Sequence, residues 1–135
     1  MGSMKKIFFT FLFVLLTNFL FAQMPEACNK CLQKLVQSSS HYKNRFGNKD
    51  ILLNKKWTAD ASSGGHNLTF TIYSENDKFG AYNRIVTYQL HGVTNKLSDN
   101  DTYSKYNSGD VNYNKKLLKD VYKYCRKNNL FIKDV

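Results

Sequence analysis

Two stretches of strict apolar–polar alternation set the limits on what this chain can become. From Asn67 to Ser74, Leu68, Phe70 and Ile72 alternate with Thr69, Thr71 and Tyr73. From Tyr82 to His91, Val86, Tyr88 and Leu90 alternate with Ile85, Thr87 and Gln89. A two-residue period sends successive side chains to opposite faces of a strand, so each stretch reads as a strand with one buried face. The polar segment from Glu75 to Gly80 has turn chemistry. The two strands are therefore expected to pair as an antiparallel hairpin.

Helical periods flank this hairpin on both sides. Ala27, Cys28, Cys31, Leu32, Leu35 and Val36 recur at intervals of three and four, one face of a helix running to about Ser38. Pro25 suits its first turn, where a missing N–H costs nothing. Near the other end, Leu117, Leu118, Val121, Tyr122 and Cys125 form the apolar stripe of a helix expected from about Asn112 to Lys127. Between these elements, His41 to Lys49 reads as a loop or short irregular helix, and Ile51 to Thr58 as a strand. Ser62-Ser63-Gly64-Gly65 reads as a turn, and Val93 to Gly109 as an ordered loop with one short strand. The order helix, strands, helix predicts an α+β fold: a small single domain with its N- and C-terminal helices packed on one face of a short antiparallel sheet.

The N-terminus has the parts of a cleavable signal peptide. Lys5 and Lys6 are followed by an apolar run from Ile7 to Phe21 and a small residue, Ala22. Met1-Gly2-Ser3 reads as a cloning remnant ahead of a native Met4. Residues 1–22 are thus expected to be lost, leaving 23–135 as a single exported α+β domain, periplasmic or secreted. The apolar run is short of the ~20 residues that span a bilayer and is interrupted by Thr17 and Asn18, so no transmembrane anchor is expected in the mature form.

Export gives the three cysteines a meaning, since oxidising compartments favour one bridge and one remaining thiol. Cys28 and Cys31 share the first apolar stripe and Cys125 lies on the last. A bridge from Cys28 or from Cys31 to Cys125 would close a loop of roughly 95 residues. Cys28-Asn29-Lys30-Cys31 also has C-x-x-C spacing, but no strand precedes it as in thioredoxin-type redox proteins. Leu32 stands where haem attachment needs histidine, and no fourth zinc ligand sits at a fixed spacing. Neither a metal nor a cofactor is expected. The segment from Ala27 to Val36 locally resembles the opening helix of saposin-like lipid-binding and pore-forming proteins. That family is all-helical with six cysteines, so its function is not carried over to a chain with three cysteines and a hairpin.

Charge narrows the company the protein keeps. The chain carries 20 Lys and Arg against 10 Asp and Glu, and loss of Lys5 and Lys6 leaves 18 against 10, about +8. Acidic partners follow: anionic lipid head groups, cell-wall polymers, extracellular nucleic acid or an acidic protein surface. On the last helix, Lys115, Lys119, Lys123 and Lys127 recur every four residues and form a candidate contact stripe, with Lys116 and Arg126 nearby and Asp120 the single acid. Tyr73, Tyr82, Tyr103, Tyr106, Tyr113 and Tyr124, on or near polar segments, offer stiff contact area.

The expected function is a small basic exported protein that recognises another macromolecule without catalysis, of the inhibitor or immunity type or as an accessory subunit of an envelope complex. Its partner would be a protein or an anionic envelope component, and export argues against nucleic acid. An alternative comes from the outline of papain-like cysteine hydrolases that act on the cell wall, which the chain loosely resembles. Such enzymes set a cysteine at a helix N-terminus and a histidine at the start of a following strand. Cys28 or Cys31 with His66, in Gly65-His66-Asn67-Leu68-Thr69-Phe70, would fill those roles. Glu75 with Asp77, or His41, His66 and His91 with Arg84, could supply acid–base parts, though no spacing selects them. No phosphate-binding glycine loop is present in the sequence.

Overall fold

The computed structural model of the protein describes residues 24–47, 50–53, 55–61, 67–74 and 81–125. The expected signal peptide, the turns at 62–65 and 75–80, His66, Glu75, Asp77, Arg126 and Lys127 lie outside the described residues.

Helix α1 (Glu26–Gln37) begins after Pro25, whose carbonyl accepts from Asn29 N at 3.0 Å, and buries Cys28, Leu32, Leu35 and Val36. The serine run after it does two jobs. Ser38 closes α1 by donating its hydroxyl to Leu35 O at 2.6 Å, and the Ser39 hydroxyl caps α2 (Ser40–Phe46) by accepting from Tyr42 N at 3.1 Å. Gly47, at φ 71°, ends α2 in the left-handed region where glycine carries no Cβ penalty.

The sheet follows as a meander of β1 (Trp57–Ala61), β2 (Asn67–Tyr73), β3 (Arg84–His91), β4 (Leu97–Asp101) and β5 (Asp110–Val111). Neighbours in sequence are neighbours in the sheet, and every pair is antiparallel. A 3-10 turn (Lys115–Leu117) then leads into α3 (Leu118–Cys125). The protein is an α+β single domain.

The hairpin of β2 and β3 supplies the centre of the core. Leu68, Phe70, Ile72, Val86, Tyr88 and Leu90 are all fully buried, and Trp57 of β1 stacks on Phe70 with ring centroids 5.0 Å apart. Helix α1 meets β2 and α3 packs against α1. The Cys28–Cys125 disulfide joins these two helices, with Cα atoms 4.7 Å apart and both residues fully buried, and Cys31 is the free thiol.

Two local expectations need correction, at Ile51 and at the start of the last helix, while the segment from His41 and the stretch from Val93 to Gly109 keep their expected outline. Ile51–Leu53 is a 3-10 turn, and the strand expected there starts only at Trp57. The segment from His41, expected as a loop or short irregular helix, belongs to the capped short helix α2. The polar stretch from Val93 to Gly109 contributes β4, paired with β3 over five residue pairs, and a further 3-10 turn (Ser104–Tyr106). The last α-helix starts at Leu118, because Asn114 caps a 3-10 turn first through its side chain, which accepts from Lys116 N at 3.1 Å.

Closing a loop of 97 residues removes conformational freedom from the unfolded chain. Replacing both Cys28 and Cys125 by serine is expected to lower the unfolding free energy by about 2–5 kcal/mol, read by denaturant titration under non-reducing conditions.

Candidate functional site

A densely hydrogen-bonded polar group among the described residues grows out of two simple periodicities. His41 and Arg45 are four residues apart and share one face of α2. Asp99 and Asp101 are two apart and share one face of β4. The register sets Leu97 opposite Leu90, Asp99 opposite Tyr88 and Asp101 opposite Val86, so both acids point toward the core with residues that are fully buried on β3.

His41 sits between Asp101, with Nε2 2.9 Å from Oδ2, and the Tyr88 hydroxyl, 2.6 Å from Nδ1. With Nε2–H facing the carboxylate, Nδ1 is left to accept from Tyr88. Burial above all, and then the charges of Asp101 and Asp99, hold the Tyr88 phenol far above its ordinary value, so it remains a donor. Arg45 Nε donates to the same Asp101 oxygen at 3.1 Å, and its guanidinium lies over the rings of Tyr106 and Tyr103 at 4.6 and 5.0 Å.

The loop after β4 folds around the two carboxylates. Asp101 Oδ1 accepts from Tyr103 N at 2.9 Å, and the Asn107 side chain binds both backbone groups of Asp101. Asp99 accepts from the Ser108 hydroxyl and from the Gly109 amide, at 2.9 and 3.0 Å. An Asp–His–Tyr chain is the raw material of a proton relay. Here His41 is only 4% exposed and both its ring nitrogens are engaged, so no lone pair faces a substrate. The cluster works as an internal strut.

A second constellation lies at the surface. Lys115, Lys116, Lys119 and Lys123 are all exposed, and Asp120 is the one acid between residues 115 and 125. Lys115 also lines a pocket of about 280 Å³ between the β3–β4 turn and the segment after β5, together with Asn95, Lys96, Leu97, Val111 and Tyr113. Asn95 has φ 57°, a left-handed conformation that asparagine tolerates, and two tyrosine hydroxyls hold it there. Tyr113 donates to its carbonyl and Tyr122 to its side-chain oxygen. Burial, and after it the neighbouring Tyr122, pushes the Tyr113 phenol up to about 12.

The residues singled out from the sequence fall in different places. Cys28 is committed to the bridge and cannot act as a nucleophile in that state. Cys31 is half-buried on α1, and burial first, then Asp120, pushes its thiol up against a smaller opposing effect of Lys34. His66 and Lys127 lie outside the described residues. His91 is on the open face of the sheet, beside Ser98 Oγ at 3.2 Å, whereas His41 is on the core side. Arg84 donates to Asn100 O at 2.6 Å. His41, His91 and Arg84 therefore do not converge.

Tyr103 and Tyr82 are exposed, at 60% and 42%, while Tyr73, Tyr106, Tyr113 and Tyr124 are half-buried. Among the described residues, no group of three or more His, Cys, Asp or Glu is placed to hold a metal ion, and no helix is long and apolar enough to cross a membrane. The sequence reading missed Arg45, Asp99, Asp101 and Asn95. The usable signal was the i, i+4 pair His41 and Arg45, both able to donate, together with the i, i+2 pair of acids Asp99 and Asp101.

Asp101→Asn takes away the carboxylate oxygen that His41 and Arg45 share and is expected to lower stability by about 3–5 kcal/mol in urea unfolding. Cys31 is expected to react with iodoacetamide at neutral pH more slowly than a small free thiol, because its thiolate is disfavoured. Fast alkylation of the native, bridged protein would contradict this. Comparison with protein-family models, curated proteins and solved structures finds no match to this chain.

Proposed function

We propose that this is an exported, non-enzymatic binding protein that recognises an acidic protein surface through the basic face formed by Lys115, Lys119 and Lys123 and continued in sequence by Lys127. The observation that carries the reading is the run of exposed lysines at 115, 116, 119 and 123 with Asp120 as its only acid. The net charge left once Lys5 and Lys6 are lost with the leader, 18 Lys and Arg against 10 Asp and Glu, favours the same kind of partner by long-range attraction.

Two features of the scaffold support this use of α3. The helix is anchored to α1 by the Cys28–Cys125 bridge and by burial of Val121, so its lysines are carried on a fixed backbone and less ordering remains to be done on binding. The disulfide also fits an oxidising compartment, in keeping with the leader read from the sequence. An inhibitor or immunity protein, or an accessory subunit docked on an envelope complex, is the concrete form of this role.

The test is cross-linking capture from an exported-protein fraction with the native protein and with the variant K115E/K119E/K123E/K127E. The variant is expected to lose an acidic partner that the native protein retains, and the native interaction should weaken as salt is raised. Retention of every native partner by the variant would remove the basic face as the binding surface.

A further inference from the structure

We infer that the pocket beside Lys115 is the anchor point of this basic face, receiving a glutamate side chain from the acidic partner. This rests on the binding reading above and adds to it a point of insertion. The pocket joins the lysine face at Lys115, which belongs to both.

Its chemistry is two-part. The lining joins the apolar Leu97 and Val111, both almost fully buried, and the half-buried Tyr113 to the exposed Lys96 and Lys115. A side chain with an aliphatic stem and a terminal carboxylate complements both parts. The volume of about 280 Å³ falls below the ordinary range of small-molecule pockets, which suits one side chain and its adjoining backbone better than a larger ligand. The walls are fixed in advance, because the Tyr113 and Tyr122 hydroxyls hold Asn95 and with it the β3–β4 turn.

One rim residue opposes such a ligand. Asp110 lines the pocket and pairs with Lys96 at 3.3 Å, with both side chains more than 60% exposed. An exposed pair of this kind holds weakly, so Lys96 can turn to an incoming carboxylate at small cost. Removing the Asp110 charge should therefore strengthen binding, a sign opposite to that of the lysine substitutions.

The test uses blocked hexaglutamate as the probe, hexaglutamine and N-acetylglutamate as controls, and fluorescence anisotropy with amide chemical-shift mapping as readouts. Asn112 is exposed at the pocket, and its backbone carbonyl accepts from Ser40 N at 2.8 Å, a bond that a side-chain substitution leaves in place. Asn112→Trp thus fills the mouth without changing charge. Expected results are shifts at residues 94–97 and 110–115 in the native protein, about fivefold weaker binding in Asn112→Trp and about twofold tighter binding in Asp110→Asn.

If K119E/K123E weakens binding while Asn112→Trp and Asp110→Asn bind as the native protein does, the pocket proposal fails and the basic face stands. If the native protein does not bind hexaglutamate, or binds N-acetylglutamate equally well, the pocket is not a partner-anchoring site. Shift mapping on the native protein decides the location even if a variant misfolds.

Discussion

The Asp101 carboxylate is the point at which α2, β4 and the loop from 102 to 109 are joined. Removing a carboxylate from water costs several kcal/mol, and that cost is offset only when its surroundings supply donors of good geometry. Asp101 has three, from His41, Arg45 and the Tyr103 amide. Two come from α2 and one from the loop, and His41 in turn takes the Tyr88 hydroxyl from β3. A partly assembled version of this cluster is worse than none, so docking of α2, closure of the loop and pairing of β4 are mutually dependent. The register of β4 follows from the same requirement. A slip of one residue would turn Ser98 and Asn100 inward and take the shared carboxylate acceptor away from His41 and Arg45.

The domain thus has two kinds of interior. Over β2 and β3 the contents are aliphatic and aromatic, covered by α1, while between α2 and β4 they are charged and hydrogen-bonded. The short α3 belongs to the first region. Over its described residues α3 is held by its buried Val121, its bridge to Cys28 and the Tyr122 hydroxyl on Asn95. The last of these contacts fixes the helix relative to the β3–β4 turn. Basic face and pocket therefore keep a constant geometry because a tyrosine and an asparagine 27 positions apart in sequence are bonded.

What could be read from the residues followed this division. Strands β2 and β3 and helix α1 announced themselves because their buried faces are apolar at the right period. Strand β4 was legible only as one short strand somewhere in a loop because two of its three inward residues are aspartates, and α2 only as a loop or short irregular helix because its inward residues are His41, Tyr42 and Arg45. Apolar periodicity is blind to an interior made of paired charges. The choice between Cys28 and Cys31 also stayed open, since both lie on one stripe and only the packing of α3 separates a fully buried cysteine from a half-buried one. The lysines were visible as positions along a helix. The pocket was not, because its walls come from segments near 95 and near 113 that only β4 and β5 bring together.

The position of the bridge also determines how the domain carries mechanical load. Cys28 and Cys125 lie outside every strand in the sequence, yet their Cα atoms are 4.7 Å apart. Tension on the chain before residue 28 and after residue 125 runs across one covalent link and bypasses the sheet between them. The hydrogen-bonded ladder and the polar strut are thereby shielded from pulling forces for as long as the link is oxidised.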